Sequence, residues 1–558
     1  MKKMKRFIAI AAAIAMLTVS GAAPAFAVDT QQGDQPVVQD SSNKAKQLTG
    51  TLTMKGEDKK VKDSSSYFAY QIVTFDAAKI NGKIAFGNMK LNAQNGADYR
   101  KAIIDNIPSL KGSSPTDGQL FFALSQVADN AQEAIDIADA LAAVAAKIPK
   151  PDYSTTNGKF DSLPYGYYLV LETENKANDG TVISRPILVC VPDKDKYVRD
   201  VVAYVKTSKA TINKKIVETD PKDNQTIYVD TNTTSINKDV NYRSLSTFPT
   251  YSKNATGINY AVTDTFSKGL TFDPKINTVK ASIVDASLKE VQPLTEGTDY
   301  SLTPSQDGFT LTLINKDEKI KEWAKDRDQL QLLYSAKLNK DAKTGTIGNP
   351  NSVELTYSIK PGTDSNYTTP PDTVITYTYK LFITKRDTCI CGPTLTGATF
   401  ELRDSAGKMI ETETTASDGT ASFTGLDQGT YSLVETKAPT GYILPDAPIV
   451  FTLTANNKKD GSSIPDRKFE LWVNGNDTVQ EKVNATWDIS SKSNQWLITQ
   501  PNQKEGGSVT IFDFPGFVLP GTGGIGTVIF TVGGIAILLV GGCMAFLYYR
   551  KKKRSERQ

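Results

Sequence analysis

The sequence predicts a mainly β protein made of tandem Ig-like sandwich domains, the first of which carries a helical insertion. Short segments of alternating apolar and polar residues recur along most of the chain. Turn signals such as Asp307-Gly308 and Pro361-Gly362 separate them, and short strands at this spacing are typical of Ig-like sandwiches. Residues 117–147 instead have Ala and Leu at helical spacing, which predicts the insertion.

The N-terminus has the features of a secretory signal. Basic residues cluster within the first six positions, an apolar stretch covers residues 7–19, and Ala25 and Ala27 form a signal-peptidase site. We therefore expect residues 1–27 to be cleaved, because the apolar stretch is short for a membrane anchor, which is the alternative. Residues 28–47 are polar and rich in Gln, Asp and Ser, which is typical of a flexible leader.

The C-terminus has three parts in a fixed order. The residues 519–523 are Leu519, Pro520, Gly521, Thr522 and Gly523. They precede the uncharged apolar segment 525–549, which is long enough to cross a hydrocarbon core of about 30 Å. The basic tail 550–558 would hold that end in the cytoplasm. A span and a basic tail alone would fit any single-pass anchor, whereas all three parts in this order are far more specific.

Between these ends we expect three domains. The region 48–206 combines strands with the helical stretch, 207–378 is almost entirely β, and 379–517 is a further β region. The strands predicted at the end of the first region cover residues 167–171, 187–191 and 198–205.

The composition excludes several classes of function. The chain of 558 residues has a formal net charge of +3, but the signal contributes +4 and the tail +5, which leaves −6 for the remainder. No basic surface is therefore expected for nucleic acid. The absence of His rules out Ser-His-Asp and Cys-His catalysis and argues against a transition-metal site, so we expect neither a metal nor a cofactor.

The cysteines predict little stabilisation by disulfides. Cys543 lies in the apolar segment, which leaves Cys190, Cys389 and Cys391, an odd number. Cys389 and Cys391 are too close along one strand to pair easily. We therefore expect the stability of this extracellular chain to come largely from another source.

Two regions resemble the domains of one protein family. The third region contains LTGATFEL (395–402), DGTASFTGL (418–426) and GTYSLVETKAPTGY (429–442). These motifs resemble a CnaB-type (SpaA-like) domain of surface adhesins and pilins, ending in the E-box of pilin subunits. In the second region, YAVTDTFSKGLTF (260–272) and GNPNSVELTYS (348–358) resemble the middle domain of sortase-assembled backbone pilins. The resemblance implies tandem CnaA/CnaB-type sandwiches.

Strand alternation places charged residues on the apolar faces of both regions. The third region shows this in Tyr379-x-Leu381-x-Ile383-x-Lys385, in Tyr431-x-Leu433-x-Glu435 and in Val509-x-Ile511-x-Asp513. In the second region the inward residues are Lys214, Asp264 and Asn351. Unpaired buried charges cost several kcal/mol each. The residues alone leave two explanations open, a buried salt bridge with hydrogen bonds or strand ends that lie in solvent.

With the resemblance, these residues predict two intramolecular isopeptide bonds. Lys214 would bond to Asn351 with Asp264 as proton shuttle, and Lys385 would bond to Asp513 with Glu435 as shuttle. Burial favours the neutral amine and raises the pKa of the acid, so that the amine can attack once, without turnover. We expect each bond to tie the first strand of its domain to the last. Lys215 and Asn349 are alternatives in the second region, and pilin domains usually have Asn where Asp513 stands.

The first region repeats the spacing of the E-box strand without a bonding partner. Its residues are Gly166, Tyr168, Val170 and Glu172, which match Gly429, Tyr431, Leu433 and Glu435. Lys55 is out of phase with the apolar residues Leu52 and Met54, so we expect no bond in this domain.

The terminal motif resembles an LPxTG sorting signal, which implies cleavage by sortase between Thr522 and Gly523. The Thr522 carbonyl is then held as a thioester until an amine takes it over. In backbone pilins the acceptor lysine lies in a YPK-type motif between the first two domains. Lys206 in Ala203-Tyr204-Val205-Lys206 occupies that place, although Val205 replaces the proline, and Lys209 is an alternative.

The resemblance therefore implies a structural subunit of a covalent surface pilus. Its implied partners are sortase, identical subunits, minor or tip pilins and peptidoglycan, with an unnamed host-surface ligand. The implied location is the cell wall or fimbrium, reached through a transient single-pass membrane precursor. The alternative is a monomeric wall-anchored adhesin that binds a host matrix protein or glycan. No constellation capable of enzymatic turnover is present.

Overall fold

The computed structural model describes residues 48–555 apart from a series of short gaps. The gaps are 81–82, 129–130, 194–197, 221, 277, 389–390, 446, 456–468, 474–494, 500–505 and 517–524. The expected signal peptide, leader and residues 519–523 lie outside the described residues. The described chain is mainly β, as predicted.

The N-terminal part of the described chain forms two sheets. The strands are β1 (Thr49–Lys55), β2 (Ser65–Ile80), β3 (Lys83–Leu91), β4 (Tyr153–Thr155), β5 (Lys159–Pro164), β6 (Gly166–Asn175), β7 (Ile187–Val191) and β8 (Asp200–Tyr204). The larger sheet has the order β3-β2-β6-β7, with β4 paired to β2, and the smaller has the order β5-β1-β8. Because side chains alternate along β2, Tyr67 and Ala69 pack toward the smaller sheet while Tyr70 and Ile72 pack toward the helices.

The helical insertion contains three helices where one stretch was predicted. They are α1 (Gly96–Asn106), α2 (Asp117–Gln126) and α3 (Gln132–Ala145), with a 3-10 turn at Pro108–Leu110. The expectation of one helical stretch over residues 117–147 was wrong, because α2 ends at Val127, whose backbone is extended. A capping box starts α2, in which the Gln119 amide donates to the Thr116 hydroxyl and the Thr116 amide to the Gln119 side chain.

The middle part is a sandwich of two seven-stranded sheets. Its strands are β9 (Ile212–Thr219), β10 (Thr226–Val229), β11 (Thr231–Thr233), β12 (Asp239–Thr247), β13 (Tyr260–Phe266), β14 (Leu270–Thr271), β15 (Lys280–Val284), β16 (Glu290–Pro293), β17 (Tyr300–Ser305), β18 (Gly308–Leu313), β19 (Gln329–Leu338), β20 (Asn349–Ser358), β21 (Asn366–Thr368) and β22 (Asp372–Tyr377). One sheet has the order β10-β9-β12-β19-β15-β16 with β14 on β19. The other has the order β11-β22-β20-β13-β18-β17 with β21 on β20. A 3-10 turn lies at Gly345–Ile347.

A short helix in the middle part was not predicted. The helix α4 (Asp317–Asp326) follows β18 and buries Ile320 and Trp323. These two residues are three positions apart and therefore share one helix face. Apart from Ala324 the rest of the helix is charged, so the sequence gave little periodic signal.

The C-terminal sandwich has a four-stranded and a five-stranded sheet. The strands are β23 (Tyr379–Asp387), β24 (Thr399–Asp404), β25 (Met409–Thr414), β26 (Thr420–Leu426), β27 (Gly429–Lys437), β28 (Ile449–Ala455), β29 (Phe469–Val473), β30 (Gln495–Thr499) and β31 (Gly506–Asp513). The sheet orders are β26-β23-β31-β30 and β25-β24-β27-β28-β29. The first strand, β23, thus lies parallel to the last, β31, and Asp387 pairs with Asp513.

Close contacts connect the middle and C-terminal sandwiches. Thr378 alone separates β22 from β23, and its hydroxyl donates to the Leu426 carbonyl at 3.1 Å. The amide of Ile236 donates to the Gly425 carbonyl at 3.0 Å. Gly425 has φ +81°, and a Cβ at this position would lie 2.2 Å from the Ile236 side chain. Glycine is therefore required both by the backbone conformation and by the close approach.

The final element is the helix α5 (Ile525–Ser555). Within it, Thr531–Lys553 is long and apolar enough to cross a membrane. This agrees with the span expected at residues 525–549.

Candidate functional site

Lys214 lies between the two sheets of the middle sandwich and is fully buried. Its Nζ donates to the Asp264 carboxylate on β13 and to the Tyr334 hydroxyl on β19. The rings of Tyr242 and Tyr334 lie 4.8 and 4.7 Å from the Nζ atom. The structure therefore brings the predicted lysine and the predicted acid together inside an aromatic pocket.

Asn351 lies beside this pair on β20, where it pairs with Phe266 of β13. It is fully buried, and neither its amide oxygen nor its amide nitrogen has a hydrogen-bond partner of normal geometry. It is close enough to Asp264 and Tyr242 to lower the pKa of both groups. A buried amide without partners costs about 1–3 kcal/mol and requires an explanation.

The electrostatics of the pocket favour the neutral forms of the lysine and the acid. Burial lowers the pKa of Lys214, although the Asp264 charge opposes the shift. Burial likewise raises the pKa of Asp264, against the effects of Lys214, Tyr334 and Asn351. Both directions move the pair toward an uncharged amine and a protonated carboxyl, the forms that nucleophilic attack on an amide needs.

The alternatives Lys215 and Asn349 are engaged elsewhere. Lys215 points away from the pocket and forms an ion pair with Asp230. The Asn349 side chain accepts from the Lys343 amide at 2.8 Å and donates to the Lys343 and Thr376 carbonyls at 3.0 and 3.2 Å. Both groups therefore have structural partners, which Asn351 does not.

The strand arrangement corrects one expectation about the middle sandwich. Lys214 is on the first strand, β9, but Asn351 is at the start of β20, and β21 and β22 follow it. The last strand, β22, is held to β9 differently, because the Lys214 amide donates to the Asp372 carboxylate at 2.7 Å. A Lys214–Asn351 bond would therefore not join the first strand to the last.

The C-terminal sandwich contains a second buried lysine. Lys385 on β23 is fully buried, and its Nζ donates to Glu435 on β27 and to Asp513 on β31, each at 2.6 Å. The ring of Phe400 lies 5.5 Å from the Nζ atom. All three predicted residues meet here, and the lysine and Asp513 do lie on the first and last strands.

The two carboxyl groups of this second site cannot both ionise easily. Burial raises the pKa of Glu435 to about 7, and the Asp513 charge adds to the shift while Lys385 opposes it. Burial also raises the pKa of Asp513, against Lys385. One carboxyl can therefore hold a proton near neutral pH, which suits a proton shuttle between an amine and a carboxyl carbon.

The first region has an acid at the equivalent place but no buried lysine. Glu172 on β6 is buried, accepts from the Ser184 amide at 2.6 Å and from the Tyr67 hydroxyl at 3.4 Å. Lys55 is half-buried, and Lys214 and Lys385 are the buried lysines of the described chain. The expectation that this region has no bond stays a prediction.

Lys206 lies two residues after the end of β8 and is exposed. The preceding Val205 is fully buried, and its amide donates to the Lys55 carbonyl at 2.7 Å. Lys206 lines a groove of about 390 Å³ whose wall is about equally polar and apolar and includes Arg185, Ile135 and Leu188. The alternative, Lys209, forms an ion pair with Asp179 at 2.8 Å.

Family models match three successive parts of this chain. A Gram-positive pilin backbone subunit 2 Cna-B-like domain matches residues 236–361, an SpaA prealbumin-like fold domain matches 380–468, and an LPXTG cell wall anchor motif matches 515–556. The chain therefore carries the pilin-backbone, SpaA-type and LPXTG-anchor domains of a Gram-positive backbone pilin. It is a structural, cell-wall-anchored surface protein whose secreted precursor spans the membrane transiently.

The pilin has a curated relative of similar length. The trypsin-resistant surface T6 protein of Streptococcus pyogenes serotype M6 is 26% identical over 441 residues, covering 71% of the pilin and 78% of the relative. The T6 backbone pilin structure has a TM-score of 0.47 and 22% identity, covering 74% of the pilin and 83% of that chain. The structure of the full-length major pilin SpaD from Corynebacterium diphtheriae has a TM-score of 0.41 and 22% identity. The match covers 72% of this chain and 89% of SpaD.

The cysteines of the pilin differ from the expectation. Cys391 is disulfide-bonded, although its closeness to Cys389 argued against an easy pairing of these two residues. Cys389 lies outside the described residues. Cys190 and Cys543 are not part of a disulfide. A bend of the chain directly after β23 explains the difference, because Cys391 lies in a turn rather than on a strand.

Sequence reasoning missed Tyr334, the second partner of Lys214. It lies on β19, where Leu330, Leu332, Tyr334, Ala336 and Leu338 form the buried face. A tyrosine on an otherwise aliphatic inward face must bury its hydroxyl, which normally requires a polar partner. That signal was available in the sequence, but the identity of the partner depends on how the strands are ordered.

Proposed function

We propose that sortase joins Thr522 of one pilin subunit to Lys206 of the next identical subunit, and that two internal amide bonds reinforce each subunit. The result is a covalent shaft that carries adhesive contacts away from the cell. Minor or tip pilins would complete the polymer, and peptidoglycan would hold its base. The exposure of Lys206 at the edge of a groove supports its role as the acceptor.

The first internal bond would join Lys214 to Asn351. The neutral Nζ attacks Cγ of Asn351, a new N–C bond forms, and the Cγ–Nδ2 bond breaks. Asp264 carries the proton from the amine to the departing nitrogen, which leaves as ammonia. This reaction would replace the Asn351 amide, which lacks hydrogen bonds, and the buried amine of Lys214 with one neutral amide, while Asp264 stays as a buried acid.

The second internal bond would join Lys385 to Asp513. Nζ attacks Cγ of the protonated Asp513, and Glu435 carries the proton to the departing oxygen, which leaves as water. The contacts of 2.6 Å from Lys385 to both carboxyl groups support this assignment.

The observation that carries the proposal is a fully buried lysine in contact with a buried acid in each of two sandwiches. The test is the intact mass of the reduced mature protein. We expect a deficit of about 35 Da, made of about 17 Da for ammonia and about 18 Da for water. Asp264→Ala should lack only the loss of about 17 Da, and Glu435→Ala should lack only the loss of about 18 Da. A wild-type chain of full mass would refute both bonds.

The acceptor assignment is tested by substitution in the native host. Lys206→Arg keeps the charge but removes the primary amine, so we expect monomer instead of a high-mass ladder on a denaturing gel. Lys209→Arg is the matched control and should leave the ladder intact. A ladder that persists in Lys206→Arg would assign the acceptor to another lysine.

A further inference from the structure

The two bond-forming sites differ in the number of carboxyl groups around the lysine. Lys385 donates to two of them, one of which belongs to its own reaction partner Asp513. Lys214 donates to one carboxylate, and its second partner is the Tyr334 hydroxyl. The middle site therefore uses a phenol where the C-terminal site uses a second acid.

Tyr334 contacts both groups that must exchange a proton. Its hydroxyl accepts from Lys214 Nζ and donates to Asp264 Oδ2. It is also within 3.2 Å of the Ser244 hydroxyl, and its ring stacks on Tyr242 with centroids 5.7 Å apart. A hydroxyl has one proton and two lone pairs, so it can make all three contacts at once. Packing and hydrogen bonding together fix its orientation.

We propose that Tyr334 is a further catalytic residue of the Lys214–Asn351 reaction. Its hydroxyl orients the amine of Lys214 and gives the two oxygens of the Asp264 carboxyl different roles. The inference rests on the proposed bond. A neutral amine has two N–H groups and one lone pair, so an N–H held by Tyr334 restricts rotation about the Cε–Nζ bond. The lone pair is then directed away from Tyr334, toward the unpartnered Asn351 amide.

The same hydrogen bond gives the two carboxyl oxygens of Asp264 different surroundings. Oδ2 faces Lys214 and Tyr334, whereas Oδ1 has no hydrogen-bond partner of normal geometry among the described residues. Asp264 is close enough to Asn351 to be affected by its amide. One oxygen can thus take the proton from the amine while the other faces the departing nitrogen. Tyr334 itself stays protonated, because burial and the Asp264 charge raise the pKa of its hydroxyl well above the ordinary value.

The test compares the rate of bond formation after synthesis of the full chain. Tyr334→Phe keeps the ring and removes the hydroxyl, and we expect the 17 Da loss to form at least about tenfold more slowly. Tyr260→Phe is the matched control, since it removes a buried hydroxyl in the same core that donates to Ser246 at 2.8 Å. It should form the bond at the wild-type rate. In each chain, the rate at which the Lys385–Asp513 bond forms serves as the internal reference.

A second readout separates chemistry from packing. The Tyr334 hydrogen bond lowers the pKa of Asp264, so its removal should move the pH dependence of bond formation to higher pH. A wild-type rate and an unchanged pH profile in Tyr334→Phe, or slowing no greater than in Tyr260→Phe, would overturn the role. If Tyr334→Phe loses the circular dichroism spectrum of the folded wild-type chain, Ser244→Ala decides. Slower bond formation with a wild-type spectrum supports the role, and a wild-type rate overturns it. A wild-type chain without the 17 Da loss would instead refute the proposed bond itself.

Discussion

Tension applied between Lys206 and Thr522 should pass through only a small part of the chain. If both internal bonds form, the force passes along the chain from Lys206 to Lys214 and through the first bond to Asn351. It then follows the chain to Lys385 and passes through the second bond to Asp513. The residues enclosed by each bond are bypassed. The region before Lys206 carries no load, because it lies outside the segment between the two points at which the tension is applied.

The extension that each bond prevents can be worked out from the chain. Lys385 and Asp513 are 128 residues apart in sequence but lie on adjacent strands. Releasing them would add roughly 420–460 Å, at about 3.3–3.6 Å per residue. The stretch from Asn351 to Lys385, 34 positions by their numbers, stays in the load path because β20 is not the last strand. Its release adds at most about 110–120 Å.

Single-molecule force extension of the mature pilin, held at positions 206 and 522, measures these lengths. Wild-type molecules should show no unfolding step longer than about 120 Å. Glu435→Ala, confirmed by mass to lack the second bond, should add a step of roughly 420–460 Å. Steps of that length in wild-type molecules with both bonds, or their absence in Glu435→Ala, would refute the load path.

Two further predictions concern the contact between the middle and C-terminal sandwiches. Burial raises the pKa of Asp427 from 3.8 to about 6, so its stabilising effect is complete below pH 4 and is lost as the pH rises through about 6. Asp427→Asn should therefore reduce the change in the free energy of unfolding between pH 4 and pH 7 by roughly 2 kcal/mol. Thermal midpoints of the variant and the wild type at the two pH values measure this, and identical pH profiles would contradict it. Gly425→Ala should cost about 1–3 kcal/mol, because a Cβ would lie 2.2 Å from Ile236 at φ +81°. Urea unfolding checks this, with Gly407→Ala as a control at an open site of similar φ.

The parts of the site that follow from a single strand were predictable from the sequence. Alternation along β23 predicts that Lys385 faces inward with Leu381 and Ile383, and the structure has all three buried. The same period predicts that Lys215 faces away from Lys214, as it does. Inward direction is a local property of a strand, so no knowledge of its neighbours was needed.

The parts that depend on strand order were not predictable. Tyr334 reaches Lys214 because β12 lies between β9 and β19, an arrangement that no local pattern encodes. The position of β20 ahead of β22 likewise depends on the path of the chain after Asn351. The break at Val127 was missed because the apolar spacing of α2 and α3 continues through it. In the first two cases the order of strands that are distant in sequence decides the outcome.

Mass spectrometry of protease-digested polymer released from the cell wall tests directly whether this pilin is a subunit of a covalent shaft, joined from Thr522 to Lys206. We expect a branched peptide in which the Thr522 carboxyl is linked to the Lys206 side chain, together with the cross-linked peptides Lys214–Asn351 and Lys385–Asp513. Polymer in which Thr522 is attached to another lysine would contradict the acceptor, and Thr522 found only on peptidoglycan would contradict the shaft.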